Sequence, residues 1–205
     1  MNYETIPSKE IVAKTAAGIK ERNIEVVVVA NKAEALKKIQ ELVPAGASVM
    51  NGSSTSLIEI GFVEYLKSGA HSWKNLHAGI VAEKDPAKNT ALRHEAIFAD
   101  YFLGSVHAIT EAGELLTASA SGSQIAPYAY SAKNIIWVAS TNKIVPTLDA
   151  ALTRIKDYVF PLEDARMKKA GAPGSLLAKI LITEREPAAM GRKVTMILVN
   201  EKLGF

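Results

Sequence analysis

The stretch IEVVVVA, residues 24–30, constrains the fold of this chain more than any other. β-Branched side chains in unbroken succession suit a strand covered on both faces, and such strands belong to parallel sheets flanked by helices. The neighbouring segments carry the helical period instead. Ile11, Val12, Thr15, Ala16 and Ile19 lie at helical spacing within 8–22, with Ser8 as N-cap, and Leu36, Ile39 and Leu42 do so within 33–42.

The alternation continues along the chain. ASVMNGSSTSLIEIGFVEYLKSG reads as a short strand, a small-residue loop and one helix with Leu57, Ile60, Val63 and Leu66 inward. Residues 71–85 have no clear period. The spacing predicts a helix over 86–100 with Pro86 in its first turn, and strands at 101–103 and 114–119. A helix at 123–132, the strand NIIWVAS at 134–140, helices at 147–157 and 161–169, and a closing strand in KVTMILVNEKLGF follow. Strands alternating with helices indicate an α/β fold, a largely parallel sheet covered on both faces.

A length of 205 residues fits a single domain, and 48% apolar residues suffice for a buried core. The stretch 158–192 is richer in proline, glycine and charge and reads as an excursion used in oligomer contacts, so a homo-oligomer is expected.

The composition excludes several chemistries. The sequence has no cysteine, which removes disulfides, thiolate zinc sites, iron–sulfur ligation and cysteine nucleophiles. The net charge of +3 is spread along the chain in runs of at most two basic residues, which argues against a nucleic-acid partner. No apolar run reaches bilayer length and MNYETIPSKEIVAKT has no hydrophobic signal core, so the expected compartment is the cytoplasm, with no membrane partner. No Walker loop, HExxH or GxSxG is present, and no metal or cofactor is expected.

Two loops have the composition of a small-molecule site. Asn51-Gly52-Ser53-Ser54-Thr55-Ser56 lies between a strand and a helix, where unpaired N–H groups and hydroxyls can take an anion. An ordinary turn with a serine cap would use the same residues. ASASGSQ, which supplies Ser119, Ser121, Gly122, Ser123 and Gln124, repeats the arrangement before IAPYAYSA. Six small residues in succession allow a ligand to approach the main chain, or a helix to pack closely on a strand. A sheet presenting both loops on one rim could hold a phosphate or carboxylate between them. Lys143, after the strand 134–140, could meet that anion, although a lone lysine is more often a surface residue. Glu111, beside the Gly113 turn, could act as a base or as a nucleophile toward an activated acyl group; turn glutamates are usually just solvated.

The order NGSSTS…EIGF, ITEAGELLTASASGSQ and TNKIVPTLDAAL…RI resembles the LUD-domain proteins of lactate utilisation, and in particular their small cysteine-free partner type. The resemblance runs from about residue 45 to 160 and more loosely to the end. It implies a Rossmann-like three-layer α/β/α sandwich with a mainly parallel sheet, as in ribose-5-phosphate isomerase, glucosamine-6-phosphate deaminase and the CoA transferases. Gly52, Ser53, Ser54 and Thr55 are similar in type and place to the glycine-serine-threonine loop of that fold. The acidic residue of the isomerases is missing at Gly104-Ser105-Val106. Thr110-Glu111-Ala112-Gly113 is similar to the Ser-Glu-Asn-Gly turn of CoA transferases, with alanine for asparagine. The resemblance implies a protein that binds a small anionic metabolite in lactate or related organic-acid utilisation. The alternatives it leaves are an acyl- or CoA-transferase-like enzyme using Glu111, and a non-catalytic partner of an iron–sulfur protein in lactate oxidation.

Overall fold

The valine run forms β1 (Glu25–Val29), which pairs in parallel with β10 (Lys193–Val199). The computed structural model describes residues 2–205. β10 is followed across the sheet by β7 (Asn134–Ser140), β4 (Tyr101–Gly104), β2 (Ser48–Asn51) and the short β3 (Lys74–Asn75), every neighbouring pair parallel. β1 is therefore an edge strand and Val28 remains 48% exposed, so this run is not covered on both faces as expected; the strands that are so covered are β7 and β10 at the centre of the sheet.

The two-residue strand period divides the core in two. Phe102, Ile135, Trp137, Met196 and Leu198 face one side, where they meet Ala16 and Ile19 of α1 (Lys9–Glu21). Leu103, Ile136, Val138, Ile197 and Val199 face the other, against Ala35 and Ile39 of α2 (Lys32–Leu42) and the helices α3 (Thr55–Glu59) and α4 (Phe62–Ser68). The single helix expected over 55–66 breaks into these two because Gly61 adopts φ 79°, a left-handed turn that glycine allows without steric cost. α5 (Leu76–Ala82) and α6 (Pro86–Glu95) follow β3; Asp85 caps α6 and Pro86 sits in its first turn.

A second sheet lies between the main sheet and α7 (Leu148–Arg154). Its order is β8 (Ile144–Val145), β5 (Ala108–Thr110), β6 (Leu115–Ser119) and β9 (Lys179–Thr183), with β6 antiparallel to both neighbours. Ile109 and Leu115 point to the main sheet, whereas Ala108 and Leu116 meet Ala151 and Ile155 beyond. The architecture is the expected Rossmann-like α/β/α sandwich, with one outer layer partly built of strands.

The stretch 158–192 contributes β9 and α8 (Phe160–Lys169). α8 continues α7 through one π-helical turn, Ile155–Val159, where two separate helices were expected. Pro161 has no N–H and its ring crowds the carbonyl four residues back, so the helical ladder widens just before it. The Phe160 amide accordingly bonds the Ile155 carbonyl.

Candidate functional site

From β2 the chain passes outward to the edge strand β3, then returns to β4 on the other side of β2 and moves inward through β7 to β10. The connection after β2 runs through α3 and α4 on one face of the sheet, and that after β4 through β5 and β6 on the other. Connections that part in this way open a crevice at the carboxyl ends of the strands. A cavity of about 590 Å³ opens there, lined by Ser53–Ser56 after β2, Ser105–His107 after β4, Lys143 after β7 and Phe205 beyond β10. The end of β6 supplies Ser119, Ser121, Ser123 and Gln124 from the second sheet. The two small-residue loops thus meet across one cavity.

Lys143 forms the floor and is only 2% exposed. Its Nζ donates to Ser56 Oγ at 3.2 Å, Ser105 Oγ at 3.2 Å and the Val106 carbonyl at 3.1 Å. All three acceptors are neutral, and among the described residues no carboxylate stands within ion-pairing distance of it. Burial, reinforced by Arg154 and only partly opposed by Glu59, pushes Lys143 down to about 7. A desolvated ammonium without a counter-ion is costly, and an entering anion would remove that cost. Lys143, expected to meet an anion on this rim, lines the cavity as its most buried cationic side chain, not at the surface where a lone lysine more often lies.

Arg154 lies beneath, fully buried, with Tyr3 and Tyr158 at 5.4 and 5.2 Å from its guanidinium. Its Nη1 donates to the His107 carbonyl, while Nε and Nη2 have no partner among the described residues. His107 Nδ1 accepts the Ala118 amide at 3.0 Å, which leaves the ring proton on Nε2. Burial and the two nearby cations hold this imidazole neutral, down to about 3.

The other expected site residues divide clearly. Ser54 caps α3 by accepting the Leu57 amide at 3.3 Å, and Thr55 begins that helix. Ser121 accepts the Ser123 amide and its hydroxyl donates to Ser123 Oγ at 3.0 Å. Ser119 Oγ accepts the amide of Gly122, whose φ of 90° lets the loop reverse beside Lys179. Gly52 lies behind Gln124: a methyl group there would come within 2.9 Å of the glutamine side chain. Gln124 leans on the Ser53 carbonyl at 3.5 Å and separates the main cavity from a smaller one of about 320 Å³ near His77 and Arg93.

Glu111 and Gly113 are not in the cavity. β5 and β6 are antiparallel, so the turn that joins them lies at the opposite end of the hairpin from Ser119–Ser123. Glu111 pairs there with Lys14 of α1 at 2.9 Å. Gly113, at φ 98°, packs on the backbone of Gly18, where a Cβ would approach to 2.5 Å. That glycine lets the turn sit on α1.

Ser105, Arg154 and the cavity wall made by α8 were not expected from the sequence. Ser56 stood in the first loop as one hydroxyl among several, and Ser105 in the segment read only for its missing acid. Pro161 directly after a helical run was the available sign of a bend at the wall. Gly104 is also explained: a Cβ there would overlap the buried Tyr128 hydroxyl at 1.6 Å. Among the described residues no cluster of histidine and acidic side chains could hold a metal ion, and no helix is long and apolar enough to cross a membrane.

Comparison with known proteins agrees with the fold. The LUD domain matches residues 12–174, which include both small-residue loops, the Ser105–His107 segment, Lys143 and α8. A DUF162 family protein from Deinococcus radiodurans, known from a crystal structure at 1.70 Å resolution, is similar with a TM-score of 0.56. The two are 13% identical over 94% of this chain and 99% of that one, a likeness that speaks for the fold. No curated protein is significantly similar in sequence. With most of its length matched by the domain, the chain belongs to the LUD domain family.

Proposed function

We propose that this LUD-domain protein binds a small anionic metabolite at the carboxyl ends of β2, β4 and β7, within lactate or related organic-acid utilisation. The observation that carries the reading is Lys143, an ammonium buried at the cavity floor with neutral partners only. A carboxylate or phosphate reaching Ser56 and Ser105 would supply the missing charge, and Arg154, whose Nε and Nη2 have no partner among the described residues, adds positive potential in the same direction. The family's association with lactate utilisation supports the choice of an organic acid. Electron transfer in such a system would fall to an iron–sulfur partner, since this chain has no cysteine to hold a cluster. An acyl-transfer reading through Glu111 has no support from the geometry, because that carboxylate faces Lys14 outside the cavity.

The test is a thermal-shift screen of the protein with lactate, pyruvate, sugar phosphates, acyl-CoA and nicotinamide nucleotides, repeated with Ser121→Leu. A saturable rise in Tm from an anion, lost in the variant, is the expected result. Equal shifts in both proteins, or none with any compound, would contradict it.

A further inference from the structure

The cavity is much larger than a three-carbon acid requires, and its two sides differ in chemistry. About 590 Å³ is the size of a site for a drug-sized molecule, so lactate or pyruvate on the floor would leave most of it to water. The floor is Lys143, Ser56 and Ser105, and the facing wall is apolar: Ile155, Val159, Phe160, Leu176 and Leu177. Ile155, in the packing beyond the second sheet, and Val159 are buried, and Phe160, Leu176 and Leu177 extend that apolar surface along the cavity. The π-helical turn before Pro161 and the 173–177 segment after α8 bring it over the ends of the sheet, and Leu176 stands there 71% exposed. The Glu163–Arg166 pair on the same side is closed on itself by two bonds of 2.7 Å, so both charges are occupied.

We propose, building on the anion-site reading, that the ligand is an amphipathic monocarboxylate: its carboxylate on Lys143, Ser56 and Ser105, and an apolar chain of several carbons along Val159, Phe160 and Leu177 towards Leu176. Water standing against such a wall is displaced with gain by methylene groups, and a longer chain covers Leu176 at the mouth.

The experiment is calorimetric titration of the full chain at pH 6.5 with straight-chain saturated carboxylates from three to ten carbons. Affinity is expected to rise by about threefold to fourfold for each methylene and then level off, as burial of one methylene at a time implies. Leu176→Ser, whose exposed position leaves the core untouched, should lower that slope with an unchanged Tm. Lys143→Met should weaken every member of the series by a similar factor. Saturable, Lys143-dependent binding that is equal for three and eight carbons would overturn the amphipathic ligand and leave the anion site standing. Affinity that climbs with length identically in wild type and Lys143→Met would overturn the carboxylate's placement on Lys143, and the anion site with it. Carboxylates that fail while sugar phosphates bind would overturn this proposal alone.

Discussion

Lys143 and Arg154 bind consecutive carbonyls of one segment: Lys143 Nζ donates to Val106 and Arg154 Nη1 to His107. Two buried cations thus share a short stretch of neutral backbone after β4, with no carboxylate paired to either among the described residues. Arg154 disfavours the charge of Lys143, and the cavity above is where an opposite charge can enter.

Anion affinity should therefore fall with pH. With Lys143 titrating at about 7 in the free protein, only its protonated form offers a full charge to a ligand. Affinity is expected to drop by about tenfold per pH unit over the two units above 7, as the protonated fraction declines. Titrations between pH 6 and 9 check this, and Lys143→Met should be flat over the same interval.

Stability should move the other way in the alkaline range. An unfolded lysine holds its proton up to about 10.5, whereas folded Lys143 releases it near 7. The unfolded chain then binds more protons over that window, so this group makes the protein more stable as pH rises from 7 to 10.5. Urea denaturation should show a gain on the order of a few kcal/mol from it, absent in Lys143→Met.

His107 gives the acidic counterpart. It stays neutral in the fold down to about 3 but takes a proton near 6.5 when unfolded. Stability is expected to fall as pH drops through that window, with a shallower fall in His107→Asn, whose amide oxygen can still accept the Ala118 N–H. Denaturation midpoints at pH 4 and 6.5 in both proteins measure the difference.

The hairpin turn should prove architectural. Gly113→Ala would force a side chain to φ 98° and onto the Gly18 backbone, a change expected to cost about 1–3 kcal/mol. Glu111→Gln loses only a half-exposed pair with Lys14, worth about 0–1 kcal/mol. Ligand affinity should be unchanged in both variants, and thermal melts with calorimetry on the two proteins decide it.

The parallel sheet was legible because its signal is local: Ile135–Ala139 and Met196–Val199 are apolar at every step, as strands covered on both faces tend to be. The two loops were legible too, since a strand, small polar residues and a helix follow one another in sequence. What stayed hidden was long-range. β5, β8 and β9 are short, and they exist through pairing between segments as distant as Leu116 and Ile182. Lys143 looks like any lysine until Ser56 and Ser105 are brought to it from β2 and β4. Glu111 looked suitable because a glycine stood nearby, yet Gly113 serves close contact with Gly18. Neighbourhood in sequence put Glu111 with Ser119–Ser123, and an antiparallel hairpin carried it to the other end.

Lys143 is the charge that an incoming anion would meet at the cavity floor. NMR titration of its side-chain Cε and Nζ, with carbon- and nitrogen-labelled lysine assigned by comparison with Lys143→Met, tests it most directly. The expected midpoint lies near 7 in the free protein and moves clearly upward when the best-binding carboxylate saturates the cavity. A midpoint near 10.5 in the free protein, or one that the bound carboxylate leaves in place, would contradict it.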